Sequence, residues 1–120
     1  MKRYLGYRRM HQSDEGTPTT ERCVVNVEVN GRIRPLRPRL DIRNHSPSGF
    51  ELGYGGSGPA QLALALVADC CGPREAVPAI YQRVKRLVSK LPHEGWVLTE
   101  NEVRKAVEEA RAEVGDMLTD

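Results

Sequence analysis

Aromatic residues are scarce in this sequence, with one Trp, four Tyr and one Phe in 120 residues. A core so thinly supplied with rings must be filled mainly by Val, Leu, Ile and Ala. Cysteine is equally sparse. Cys23, Cys70 and Cys71 are odd in number and include a vicinal pair, which makes a poor disulfide framework and lacks the paired spacings of a zinc site. Reduced, buried thiols are the expectation. His11, His45 and His93 stand far apart, and none has a cysteine or carboxylate at ligand spacing. No metal and no cofactor are expected.

Long apolar runs are also missing. The longest, Leu62 to Ala68, falls far short of the ~18 residues of a membrane helix. The opening Met1-Lys2-Arg3-Tyr4-Leu5-Gly6 has charge but no apolar h-region, so it does not read as a signal peptide. A cytoplasmic protein without membrane contact is expected. A chain of this length suits one domain, 1–120, burying about two-thirds of its unfolded surface without a metal or disulfide staple.

Charge is present but unevenly placed. Residues 1–43 hold ten Lys/Arg against five Asp/Glu, and residues 44–120 hold eight against eleven, so net charges of +5 and −3 combine to +2. A basic first third can attract phosphates or an acidic partner, or can be an ordinary solvated sheet face.

Local patterns predict the elements. Residues 2–9 mix aromatic and basic side chains as a first strand. Residues 11–21, with Gly16 and Pro18, read as a flexible loop. Cys23 to Val29 is rich in β-branched residues and reads as a strand, and Asn30-Gly31 marks a hairpin. A two-residue loop would oppose Val27 to Arg34 and Glu28 to Ile33, mixing charge with core. A three-residue loop, Val29 to Gly31, would oppose Glu28 to Arg32 and Val27 to Ile33, and is the expected register. The return strand, Arg32 to Leu36, contains Pro35 and belongs at a sheet edge.

Phe50 to Tyr54 reads as another short strand. Pro59 suits the first position of an almost wholly apolar helix, Ala60 to Cys71, ended by Gly72-Pro73. A second helix, near Pro78 to Leu91, places Ile80, Val84, Leu87, Val88 and Leu91 on one face and Arg83, Arg86 and Lys90 on the other. Gly95 to Leu98 reads as an extended link. Thr99-Glu100-Asn101-Glu102 has capping-box form and starts a third helix to about Val114, burying Val103, Val107, Ala110 and Val114. The fold class is therefore α+β: a small antiparallel sheet of three to four N-terminal strands, packed against about three C-terminal helices.

The most distinctive segment is the strand, glycine turn and helix start from Phe50 to Pro59. Tyr54, Gly55, Gly56, Ser57 and Gly58 are the candidate ligand-binding residues, because free N–H groups at such a turn suit an anion. Gly53 to Gly58 fits G-x-G-x-x-G, but a second helix follows the first where the dinucleotide fold needs a parallel strand. A P-loop is excluded, since Pro59-Ala60 follow Gly58 where Lys-Ser/Thr is required. A nucleophile elbow at Ser57 lacks its last glycine, and nothing in the sequence brings His45 and Asp41 to it. The alternative is purely geometric, with the glycines letting a buried helix approach the sheet.

The run His45-Ser46-Pro47-Ser48-Gly49-Phe50-Glu51-Leu52-Gly53-Tyr54-Gly55-Gly56-Ser57-Gly58-Pro59-Ala60-Gln61-Leu62-Ala63-Leu64-Ala65 resembles the signature of a small uncharacterised family found in bacteria, phages and other mobile elements. Tyr81 to Lys85 and Trp96 to Leu98 are similar to its second half. In the family's pattern a tryptophan stands where this chain has Leu52. The family has no established activity, so the resemblance implies no catalytic or binding residue. It implies a small binding protein sooner than a metabolic enzyme.

Arg32, Arg34, Arg37, Arg39 and Arg43 are the candidate partner-binding residues, spaced so that several can line one extended edge. With Tyr4 and Tyr7 in the same sheet they would contact phosphates and stack bases. Equally, charge on an edge strand can prevent sheet-to-sheet association. A helix-turn-helix is excluded by the seven residues from Pro92 to Leu98. Glu108 and Glu109 are adjacent on a helix and so diverge. No catalytic constellation emerges. The expected function is a non-catalytic protein that binds a protein or nucleic acid through the basic sheet face and glycine turn. The alternative is a nucleotide- or phosphate-binding domain at the glycine turn, as a binding module or as an enzyme.

Overall fold

The computed structural model describes residues 1–10, 21–45, 50, 57–92 and 94–118. Strands β1 (Lys2–Met10), β2 (Glu21–Val29) and β3 (Arg32–Pro35) form an antiparallel meander. Helices α1 (Ser57–Cys71) and α2 (Pro78–Val88) follow, then strand β4 (Gly95–Thr99) and helix α3 (Glu100–Leu118). The sheet order is β3-β2-β1-β4, all antiparallel, so the fold is α+β as expected. The segment Gly95 to Leu98, expected as a link, is instead the fourth strand. Its Trp96 and Leu98 are buried while Val97 is exposed, the alternation of a strand with one face on the core.

The hairpin register differs from the expected one. Val29 pairs with Arg32, Glu28 with Ile33 and Val27 with Arg34, so the loop is the two-residue Asn30-Gly31. Both carry positive φ, 51° and 82°, as a turn matching the twist of its strands requires. Mixing charge with core costs little here because all four residues of β3 are exposed. Glu28 pairs with Arg3 across β1 at 2.6 Å instead of with Arg32. Ile33 is left 60% exposed.

Helix α1 explains the missing aromatics. Leu62 through Val67 have no solvent exposure, and α1 contacts both α2 and α3 while its Asp69 bonds to β1 and β3. Small and aliphatic side chains let it pack on every side. The helix begins two residues before Pro59, which still falls in the first turn, where its lack of an N–H is harmless. Helix α2 ends at Val88, earlier than expected, and buries Ile80, Tyr81, Val84 and Val88. From its outer side Arg83 and Arg86 both reach Glu113 of α3 at 3.1 Å. Helix α3 buries Val103, Val107 and Ala110, with Val114 half-buried. Its capping box is formed: Thr99 Oγ1 accepts from the Glu102 N–H at 3.1 Å, and Glu102 Oε1 accepts from the Thr99 N–H at 3.2 Å.

On the helix-facing side of the sheet, Gly6 lies opposite Trp96, whose indole rests on the glycine backbone. A Cβ at position 6 would stand 2.0 Å from Trp96 Cε2. Among the described residues the buried indole Nε1 has no hydrogen-bond partner, so Trp96 serves there by its shape. The outer face remains open at Tyr7, Ile33 and Val97. The expected strand Phe50 to Tyr54 is described only at Phe50, which is buried and bridges Cys23; its other residues, and residues 11–20 of the expected loop, lie outside the described residues. Glu21 belongs to β2 and not to that loop.

Candidate functional site

Strand alternation sets Lys2, Tyr4, Val27 and Arg34 on the helix-facing side of the sheet, with Tyr4 paired to Val27 and Val27 to Arg34. This row meets Asp69 near the end of α1. Asp69 Oδ1 accepts from the Arg34 guanidinium at 2.7 Å, and Oδ2 accepts from the Tyr4 hydroxyl at 3.0 Å and Lys2 Nζ at 3.2 Å. Burial pushes the Asp69 carboxyl upward, but the bonds from Arg34, Tyr4 and Lys2 outweigh it and hold it below its usual range. Burial, and then the charge of Asp69, drives the Tyr4 hydroxyl far above its ordinary pKa. Tyr4 is therefore a fully buried structural donor.

This overturns the expected base-stacking surface. Tyr4 is inaccessible, and Tyr7, 40% exposed, lies on the opposite face of the sheet from Arg32 and Arg34. The two tyrosines and the arginines do not form one surface.

The five candidate arginines occupy one continuous stretch of chain. Arg32 and Arg34 belong to edge strand β3, and they line an open groove with Val29, Asn30 and Ile33. Arg34, Arg37 and Arg39 line a hollow of about 50 Å³ together with Leu36, Ala65 and Asp69. That is space for a water or two, not for a ligand. Arg39 has φ 56° and pairs with Asp41 through two bonds of 3.0 Å. Arg43 is exposed at the far end, and its positive field acts on His45 and Tyr81. Among the described residues, Arg32, Arg37 and Arg43 have no carboxylate within 4.0 Å.

The segment from Leu36 to His45 has neither helix nor ladder of its own, yet it is anchored. The Leu36 N–H bonds to the Val25 carbonyl at 2.9 Å, and the Ile42 N–H closes a turn on Arg39 at 3.0 Å. From α1, the Gln61 carboxamide donates to the carbonyls of Pro38 at 2.5 Å and Arg43 at 3.1 Å, and accepts from the His45 N–H at 2.8 Å. From α2, the Tyr81 hydroxyl lies 2.6 Å from His45 Nε2, with the rings edge to face. Burial, with Arg43 and Lys85 adding to it, lowers the His45 pKa and favours the neutral imidazole in this contact.

His45 and Asp41 thus pair with Tyr81 and Arg39. Of the glycine-turn candidates, Tyr54, Gly55 and Gly56 lie outside the described residues, Ser57 opens α1, and Gly58 is buried. His11 and His93 also lie outside. Among the described residues no group of His, Cys, Asp or Glu could hold a metal ion. Burial, and next the adjacent Cys71, pushes the Cys70 thiol up to about 12, so it is a poor nucleophile at neutral pH. No described helix is long and apolar enough to cross a membrane.

Asp69, Tyr81 and Gln61 escaped the sequence reading. Gln61 did leave a signal there: it is the lone polar residue in the apolar run Ala60 to Ala68, and a buried carboxamide must find partners. No curated protein and no solved structure matches this chain. A family model does match residues 4–109, so the chain belongs to the family of unknown function DUF6166.

Proposed function

We propose that this is a non-catalytic binding protein that engages an acidic segment of a protein partner along β3 and the arginine segment behind it. The observation that carries the reading is the character of this edge. All four residues of β3 are exposed, and Arg32 and Arg34 flank an Ile33 that is 60% exposed. An edge strand offers unpaired backbone groups to an added strand, arginines offer charge to carboxylates, and Ile33 offers apolar contact. A phosphate backbone would use the charge but not Ile33, and among the described residues no exposed aromatic side chain stands on the arginine-bearing side of the edge for single-stranded nucleic acid to stack on. The glycine turn Tyr54 to Gly58 enters the same reading through Gln61, one helical turn beyond Gly58 and bonded to the arginine segment. A phage or mobile-element setting, implied by the resemblance of His45 to Ala65, suits a small protein that binds a host component.

The test is a titration of the full chain with short poly-L-glutamate and with a single-stranded oligonucleotide at low and moderate salt. The expected result is salt-sensitive binding of the poly-glutamate, weakened about fivefold in the double variant Arg32→Gln, Arg37→Gln. Oligonucleotide binding with the same arginine dependence, and none of poly-glutamate, would move the reading to nucleic acid. Binding of neither, or binding indifferent to both substitutions, would remove it.

A further inference from the structure

A binding edge made of arginines on an irregular segment has an entropic problem. Long cationic side chains on a loose backbone must be ordered when a partner arrives, and that ordering weakens affinity. The remedy here comes from the core. Gln61 is the one fully buried polar residue among the described residues, on a helix otherwise walled by Leu and Ala. Its amide spans three backbone groups, Pro38 O, Arg43 O and His45 N. Two of these are carbonyls and one is an N–H, so the partners themselves fix which end of the amide faces which group. The bonds bracket the stretch that carries Arg39 and Arg43, with Arg37 just before it.

We infer that Gln61 is the positioning residue of the partner-binding edge, a buried latch that holds the arginine segment in its binding shape before a partner arrives. The inference rests on the reading that the arginine segment is the binding edge. Gln61 contributes no charge and is buried out of reach of a partner. It acts through the backbone of residues 38–45, with Tyr81 holding the end of the same segment through His45. A residue of this kind changes affinity without changing the number of ions displaced on binding, whereas an arginine changes both.

The test compares Gln61→Met with Arg37→Gln in the full chain. Methionine keeps the apolar volume and removes every amide bond. Gln61→Asn serves beside it as a milder variant, too short to span all three backbone groups, should Met prevent folding. Expected for either Gln61 variant are faster hydrogen exchange at the amides of residues 39–45, unchanged exchange in β1 and β2, and about tenfold weaker poly-L-glutamate binding with an unchanged salt slope. Arg37→Gln should instead reduce the salt slope and leave exchange alone. Unchanged exchange at residues 39–45 in the Gln61 variants overturns the latch, whatever the ligand. Faster exchange with wild-type affinity overturns its role in binding but spares the arginine edge. If Arg37→Gln and the Arg32, Arg37 double variant both leave binding intact, the edge itself is wrong and the latch falls with it.

Discussion

The guanidinium of Arg34 stands 2.7 Å from Oδ1 of Asp69, joining the edge strand of the sheet to the core helix across 35 residues of sequence. That bond is possible only in the two-residue hairpin register, which turns Arg34 toward the helices beside Val27. With Tyr4 and Lys2 on the same carboxylate, it ties β1 and β3 to α1 at one point.

Replacing Asp69 by Asn removes that point. The expected loss is about 1–2 kcal/mol at neutral pH, toward the low end for charge-assisted bonds because Arg34 is half exposed. The carboxyl titrates lower in the folded chain than in the unfolded one. Its stabilisation is therefore complete above the ordinary carboxylate pKa of ~4 and fades as pH falls through the lowered value. Urea denaturation across acid pH should show wild type losing stability in this window and Asp69→Asn losing less. Parallel curves for the two proteins would contradict the assignment.

Gly6→Ala should destabilise by about 1–3 kcal/mol, because its Cβ would collide with the buried Trp96 ring and the strand must shift. The cost should nearly vanish in a Trp96→Val background, where the space is vacated. A double-mutant cycle measures this directly. Trp96 is the sole tryptophan, so in the single Gly6→Ala variant its fluorescence reports the displacement.

Thr99→Ala should cost about 1 kcal/mol, the usual loss of an N-cap, and fray the start of α3. The residue also ends β4, which pairs with β1. Hydrogen exchange should therefore quicken in the first turn of α3 and at the end of β4 while α1 stays protected. Uniform quickening across the chain would show that the cap is not local.

Much of this fold could be read along the chain. The β-branched run from Cys23 to Val29, the helical spacing from Ile80 to Val88 and the Thr99 capping box each depend on residues a few positions apart. The expected hairpin register failed for an informative reason. It assumed that Ile33 must face the core, but a strand exposed at every residue imposes no such requirement. Gly95 to Leu98 failed similarly, since four residues do not show whether a neighbouring strand is waiting. The candidate arginines were legible as a cluster, while the burial of Tyr4 depended on which face of β1 the helices cover.

Sequence by itself determined the type and approximate place of most strands and helices, that aliphatic residues must build the core, and that positive charge gathers in residues 32–43. Those properties follow from local backbone preference, side-chain shape and composition. Tertiary structure alone decided that Arg34 meets Asp69, that Trp96 lies on Gly6 and that Gln61 holds the arginine segment. Each of these joins residues distant in sequence, and each is settled only when the helices close over one face of the sheet and buried groups must be paired or packed.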